Sequence, residues 1–308
     1  MNKLKLGILE FGNINSEFSS IGKISDILDL TVEADRLGFS KYWFSEHHNY
    51  INDDPWSNPL VLLPIVLNNT ENINVGLAGI LLNFYSSYET AMHFKLLSNL
   101  FPDRVDLGIA NGNPPIKIKK MLTDNELYSL DRENTIPRKI NEFYEMFHNE
   151  HSFSESNKVV IPPYQGEIPN VYFLSSSFDN IDTAIKYKFH FSMSIFHSAK
   201  EYDNTKQLIL QKREEYFDKN GFYPNINVAF TGACAETSIK AENIAKNSKI
   251  DLVNAIVGTP QYFQERLLEM KEYFGVNEFI FRDVALEYED RLNTLSLLSD
   301  IFQLKKQP

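Results

Sequence analysis

Eight strand-like segments, each followed by helical sequence and none joined to the next by a tight hairpin signal, predict an α/β chain closed into a (β/α)8 TIM barrel. Polar, charged and glycine residues also gather where these strands end, which is where such a barrel keeps its site. An open doubly wound sheet is the alternative that alternation alone leaves. The 308 residues, 43% of them hydrophobic, suffice for one barrel and its core. No linker-like stretch divides them, so residues 1–308 are expected to form one domain.

The elements follow in order. Lys3–Glu10 alternates and turns at Gly12, a first strand. Ile24, Ile27, Leu28, Thr31, Ala34 and Leu37 share one helical face, and Gly38 stops that helix. Lys41–Glu46 is the second strand, with Tyr42, Trp43 and Phe44 in a run too short for a helix, delivering the charged cluster Glu46-His47-His48 at its end. Pro59–Leu67 reads as a short apolar helix. Ile73–Leu82 is a third strand, in which Gly76 and Gly79 suggest a bulge or the close approach of a ligand. Tyr88–Leu100 is helical, and Val105–Ala110 is a fourth strand broken by Asn111-Gly112-Asn113-Pro114-Pro115.

Lys117 to Thr135 is polar and weakly patterned, as in a long loop with a helical turn that covers a site. Pro137–His148 is a helix, and His151–Gly166 reads as an irregular excursion. Asn170–Leu174 is the fifth strand, followed by Ser175-Ser176-Ser177 and a helix to Tyr187; Phe189–Phe196 is the sixth. A charged helix, Lys200–Lys219, leads to the seventh strand, Ile226–Thr231, and to a helix over Glu236–Asn247. Thr259 caps a helix with Pro260 at its first position, ending at Gly275. Val276–Phe281 is the eighth strand, and a last helix runs from about Glu287 to Leu304.

Composition narrows the function. The net charge is −11 and the pI about 5.2, with no Lys/Arg block, so a nucleic-acid partner is not expected. A local cationic pocket for a small phosphate remains compatible with this balance. One cysteine, Cys234, excludes an internal disulfide and a multi-cysteine metal site, and is expected to be a small buried hydrophobe. Met1–Glu10 is too short and polar for a signal sequence, and no apolar run approaches the ~18 residues of a membrane span. A cytoplasmic protein with no membrane contact is expected. The strand ends collect Glu10, Glu46-His47-His48, Gly79–Leu82, Asn111-Gly112, Ser175–Ser177, His197, Thr231-Gly232 and Arg282-Asp283.

Four segments in this order, Ala34–His48 (ADRLGFSKYWFSEHH), Asn74–Leu82 (NVGLAGILL), Pro102–Gly112 (PDRVDLGIANG) and Val257-Gly258-Thr259-Pro260, resemble the bacterial luciferase-like flavin monooxygenase family. The resemblance implies a (β/α)8 barrel that binds FMN, or a deazaflavin, in its C-terminal mouth. It places His47 beside the reactive face of the flavin as the catalytic residue, where an imidazole of ordinary pKa, ~6.5, would pass protons at working pH. Glu46, His48, Ala78, Gly79, Asn111, Arg138, Ser176 and Ser177 are the implied cofactor contacts, with a cis peptide or a bulge at Ala78-Gly79. Asn111 occupies the slot where many relatives carry an arginine for the flavin phosphate, and a neutral amide replaces a charged fork there. The phosphate would then lean on Ser176, Ser177, the following helix N–H groups and Arg138, with Lys117 and Lys119 as further candidates. A weakly held FMN, or FMN as a loosely held co-substrate, follows.

Phe11, Phe84 and Tyr85 near the mouth suit an apolar organic substrate. Three activities are compatible with the resemblance. The first is oxygenation with reduced FMN and O2. The second is hydride transfer to an unsaturated substrate, such as a dehydroamino acid in a ribosomal peptide. The third is a non-catalytic barrel serving as a binding or partner subunit. The implied partners are a small-molecule or peptide substrate, a flavin reductase, and a second copy of the chain in a homodimer, with a heterodimer as the alternative.

Overall fold

The computed structural model describes residues 3–13, 19–48, 55–124, 135–197, 204–248 and 250–305. Its strands are β1 (Lys5–Glu10), β2 (Lys41–Phe44), β3 (Asn74–Leu81), β4 (Val105–Ala110), β5 (Asn170–Ser175), β6 (His190–Ser194), β7 (Ile226–Cys234), β8 (Ile256–Gly258) and β9 (Glu278–Asp283). Strands β1 to β7 pair in sequence, β7 pairs with β9, and β9 returns to β1, every pairing being parallel. The sheet therefore closes into an eight-stranded barrel, and the open-sheet alternative is overturned by the β9–β1 and β6–β7 pairings. The short β8 is additional: it pairs with Gly232–Cys234 beyond the part of β7 held by β6. Three residues are too few to show a strand period, so the sequence reads only a turn there.

The helices are α1 (Ser20–Arg36), α2 (Leu62–Asn69), α3 (Ser87–Leu100), α4 (Ile116–Thr123), α5 (Ile136–His148), α6 (Glu150–Asn157), α7 (Ile181–Tyr187), α8 (Thr205–Asn220), α9 (Ser238–Asn247), α10 (Pro260–Phe274) and α11 (Tyr288–Phe302). Their ends follow from capping chemistry. Ser19 Oγ accepts from Gly22 N at the start of α1, and Thr259 Oγ1 accepts from Tyr262 N at the start of α10, with Pro260 at the first position. Gly275, at φ +68°, ends α10. Two stretches depart from the sequence reading. Ile116–Thr123 is a full helix rather than a turn, while the remainder of the expected loop, 125–134, lies outside the described residues. Glu150–Asn157 is helical where an irregular excursion is expected. Its sequence has no apolar stripe, but Glu150 is fixed by the buried Lys95 and accepts from Gln165 N at 3.0 Å, so tertiary anchoring supplies what local pattern lacks.

Alternation along the strands divides the core. Leu6, Ile8, Tyr42, Phe44, Leu77 and Leu107 face outward into the layer between sheet and helices. Leu9, Trp43, Tyr172, Ala229 and Ile280 form a separate cluster inside the barrel, with Phe11, Ala78, Leu174 and Phe196 packed above it. Below it lies a polar floor. Asp106 accepts from Lys41 Nζ (3.0 Å), Trp43 Nε1 (2.8 Å), Asn74 Nδ2 (3.2 Å) and Asn170 Nδ2 (3.0 Å). Burial alone would lower the Lys41 pKa, but Asp106, with Glu278, raises it well above the ordinary lysine value. The floor is therefore a charged pair with its hydrogen bonds made, which is how buried ions are tolerated.

Candidate active site

The expected strand Lys41–Glu46 ends at Phe44, and Glu46-His47-His48 follow it directly with their side chains divided between two sides. Glu46 is almost fully buried and works as a clasp. It accepts from the Tyr85 hydroxyl, from Leu81 N at 3.2 Å, and lies 3.0 Å from His48 Nε2, so it ties the end of β2 to the end of β3. His47 instead packs on Phe11, with ring centroids 4.8 Å apart and 29° between planes, and its Nδ1 lies 3.3 Å from Ser45 Oγ. Ser45 is fixed in turn by Trp56, whose Nε1 donates to its carbonyl at 3.0 Å.

Phe11 also packs against Arg282, whose guanidinium carbon is 3.7 Å from its ring centroid, and meets Phe196 edge-on at 6.3 Å. Phe196 abuts His197, at 4.4 Å between centroids. The mouth thus holds two imidazoles and a guanidinium around two phenyl rings. Burial, followed by the charges of Arg282, His197 and His48, pushes the His47 pKa down to about 4. His47 is therefore neutral at working pH. This corrects the expectation of an ordinary imidazole: His47 offers hydrogen bonds and a very weakly basic nitrogen rather than a pKa matched to pH 7.

The Ala78-Gly79 peptide is cis, and the β3–β4 register shifts between Leu77 and Ile80. Both forms of the expectation are thus present together. The strand-interior glycines serve the close approach of β4. A side chain at Gly76 would strike the Asp106 carbonyl, and a Cβ at Gly79 would lie 2.7 Å from the Gly108 carbonyl and from Leu174 Cδ1. It is the neighbouring strand that these glycines admit.

The residues expected to hold a phosphate are disposed differently. Asn111 Oδ1 accepts from Asn83 Nδ2 (3.0 Å), and Asn83 Oδ1 accepts from Thr135 Oγ1 (3.0 Å), so Asn111 belongs to a chain of neutral groups. Arg138 has a side chain 61% exposed and pairs with Glu142 on its own helix. Ser176 is exposed, and the Ser177 hydroxyl donates to Asp179 at 3.3 Å, which sets a carboxylate in the turn expected to receive an anion. Lys117 is exposed, whereas Lys119 is buried and bonded to Asn113 over the Phe84 ring. The neighbour of Arg138, Lys139, is the cation that sequence reasoning missed. Its ammonium caps the carbonyls of Leu82 (2.8 Å), Asn83 (3.1 Å) and Tyr85, and burial with the charge of Arg138 lowers its pKa to about 8. The signal was present: Ile136, Lys139, Ile140, Phe143 and Phe147 fall on one helical stripe, so this lysine lies on an apolar face.

Glu10 faces outward, where it accepts from Arg291, Tyr42 (2.7 Å) and Gly12 N (2.7 Å), so it supports the wall rather than the mouth. Cys234 is buried in the core, with its thiol pushed up to about 12 by burial and then by Asp283 and Glu236. Among the described residues no cluster of His, Cys, Asp and Glu is gathered as a metal would need, and no helix is long and apolar enough to cross a membrane. A cavity of about 1150 Å3 opens at the opposite end, beside Lys5, Ser40, Asn74, Asn225 and Glu278. Those residues lie at the N-terminal ends of the strands, whereas the imidazoles and Arg282 stand at the C-terminal ends where barrels of this class do chemistry.

The luciferase-like monooxygenase family model matches residues 4–242. The chain belongs to that family. N-acetyl-S-alkylcysteine monooxygenase of Bacillus subtilis (strain 168) is 22% identical, over 96% of this chain and 98% of that protein. Among solved structures, apo-MsnO8 superposes with a TM-score of 0.80 at 21% identity, covering 99% of both chains. The oxygenating constituent of 3,6-diketocamphane monooxygenase of Pseudomonas putida, in complex with FMN, reaches 0.69 at 17% identity and covers 96% of both chains. An F420-dependent secondary alcohol dehydrogenase reaches 0.68 at 12% identity, covering 99% of this chain and 100% of that one. At these identities the structures speak for the fold.

Proposed function

We propose that this member of the luciferase-like family uses reduced FMN and O2 to oxygenate an organic substrate with an apolar part. The observation that carries the reading is the inward-facing, neutral His47, set against Phe11 and Phe196 at the C-terminal mouth of the family barrel. The groups here fit the ring of a flavin better than its phosphate. Ala78, Leu174 and Phe11 supply an apolar wall, and the cis Ala78-Gly79 peptide lies in that wall. The phosphate side has neutral Asn111 and the Ser177–Asp179 contact. This imbalance favours a flavin that comes and goes as a co-substrate, delivered reduced by a separate flavin reductase. When bound, the reduced flavin supplies the two electrons that activate O2. The chain's own part is to seat the ring, exclude water with phenyl surfaces, and present the His47 imidazole as a neutral hydrogen-bonding group.

The test is FMN binding followed by turnover with a flavin reductase over a panel of thioethers and ketones, in air and under argon. Oxygen-dependent product supports the reading. Turnover of unsaturated substrates under argon would replace it with hydride transfer, and FMN displaced by F420 would change the cofactor. The partner reading is a homodimer. Tyr88, Met92, Leu96 and Leu100 are spaced by four along α3, and Leu96 and Leu100 are 52% and 62% exposed, as is Val61 at 74% beside α2. Such a stripe is self-complementary about a two-fold axis. Light scattering of Leu96→Asp/Leu100→Asp should give a monomer where the wild type gives a dimer; a monomeric wild type would refute it.

A further inference from the structure

The turn that ends β3 sends three main-chain carbonyls to one point. Lys139 Nζ, from α5, lies 2.8 Å from the Leu82 oxygen and 3.1 Å from the Asn83 oxygen, and it also donates to the Tyr85 oxygen. An ammonium has three N–H donors, and here three acceptors take them. The local sequence opposes a charge at this place. Lys139 stands in the first turn of α5 beside Arg138, and the positive end of a helix disfavours a further cation. Glu142 on the same helix holds Arg138 and the Ser87 hydroxyl instead. What holds the ammonium is therefore the carbonyl set, in the way that carbonyl oxygens hold a monovalent cation stripped of its water.

The same turn is a junction of the mouth. Leu81 N donates to Glu46 at 3.2 Å, the Tyr85 hydroxyl donates to Glu46 as well, and Glu46 lies 3.0 Å from His48 Nε2. The Asn83 side chain bonds Asn111, just beyond β4, at 3.0 Å. Glu46 directly precedes His47, so the placement of this turn passes to the inward imidazole through one peptide bond.

We propose that Lys139 is a positioning residue of the mouth: its ammonium fills a monovalent-cation site made by the carbonyls of Leu82, Asn83 and Tyr85, and so fixes the turn that clasps Glu46 next to His47. This rests on the mouth being the active site of a flavin-type oxidoreductase, and it names a residue that acts on that site without touching substrate or flavin. The lysine stem keeps the site occupied whatever the salt, because a tethered group needs no free ion to supply it.

The experiment uses the full chain and n-propylammonium, which replaces the atoms that Lys139→Ala removes. Its readouts are the ring-proton NMR signals of His48, assigned with His48→Ala, and turnover of the best substrate in the thioether and ketone panel. Lys139→Met keeps the apolar stem and loses the charge and its donors. It should shift the His48 signals and lower turnover about ten- to hundredfold, as small displacements of a reacting group do. In Lys139→Ala, n-propylammonium should restore both the signals and the rate saturably, and n-propanol, of the same shape without charge, should restore neither. Wild-type signals and rate in Lys139→Met would overturn the proposal. Equal rescue by n-propanol would overturn it by making the lysine a space-filler, and so would a folded Lys139→Ala that n-propylammonium does not rescue. Shifted His48 signals with an undiminished rate would overturn the positioning role. If Lys139→Ala does not fold in either solution, Lys139→Met decides alone. Saturable return of the His48 signals, beside a wild type that turns over nothing with reduced FMN, would sustain the cation site and remove the flavin reading instead.

Discussion

The two ends of the barrel use inward-facing residues of the same strands for opposite purposes. At the floor, Asp106 gathers four donors, including Lys41 and Trp43 of β2, and each charge meets its opposite. At the mouth, groups at the ends of β2, β6 and β9 work against one another: Arg282, His197 and His48 all add to burial in keeping His47 uncharged. A floor of mutual partners is complete without a ligand. A mouth of one guanidinium, imidazoles kept from charging and phenyl rings is arranged for something that enters. The difference separates residues that serve stability from residues that serve chemistry along one segment, Lys41 and Trp43 in β2 at the floor and His47 just beyond it at the mouth.

That contrast can be broken most forcefully at His47. His47→Ala should reduce turnover by about 10²–10³-fold, as loss of a preorganised hydrogen-bonding group does, leaving the melting temperature and FMN affinity near wild type. His47→Asn should resemble Ala in rate if proton transfer matters, and recover part of the rate if a neutral hydrogen bond is the contribution. His48→Ala should cost less, since His48 lies against Glu46 on the other side. Unaltered turnover in His47→Ala would end the assignment. The floor should answer in the other currency: Asp106→Ala leaves Lys41 buried without its carboxylate and should cost about 3–5 kcal/mol by denaturant unfolding. A loss under about 1 kcal/mol would mean that the floor is not the structural centre described.

A smaller effect sharpens the phosphate side. Asn111→Arg places a guanidinium where a neutral amide now bonds Asn83, and a charge-assisted contact of about 1.5–3 kcal/mol should tighten FMN roughly ten- to hundredfold. Unchanged affinity would put the phosphate elsewhere. The gentlest test is pH. His47, His148 and His190 are each lowered from 6.5 to about 4, mainly by burial. Between those values the unfolded chain binds protons that the folded imidazoles do not. Their contribution to stability is therefore full above pH 6.5 and declines as pH falls toward 4. The melting temperature should drop across that window, less so in His47→Asn, and the rate should show no inflection from His47 between pH 5 and 8. An inflection near 6.5 that His47→Asn removes would contradict the burial argument.

Much of this was legible in the sequence because a period of two assigns sides. The aromatic run Tyr42-Trp43-Phe44 marked β2, and alternation through Glu46-His47-His48 separated the clasp from the inward imidazole. Asp106 and Lys41 carried the same signal, charges within apolar strands at inward positions, but their pairing depends on barrel closure and cannot be read from either strand alone. Lys139 was hidden by its neighbour Arg138, since only the helical stripe shows which of two adjacent cations points inward. The α6 helix was illegible for a different reason: its anchor, Lys95, lies 55 residues away.

The central claim, that the mouth around His47 receives the flavin, is tested most directly by NMR of the histidine ring protons during an FMN titration. Assignments would come from His47→Asn and His197→Asn. The account predicts that the His47 and His197 resonances shift and saturate together with flavin fluorescence quenching, while His190 at the floor stays put. FMN binding that leaves His47 unmoved, or that moves His190 instead, would contradict it.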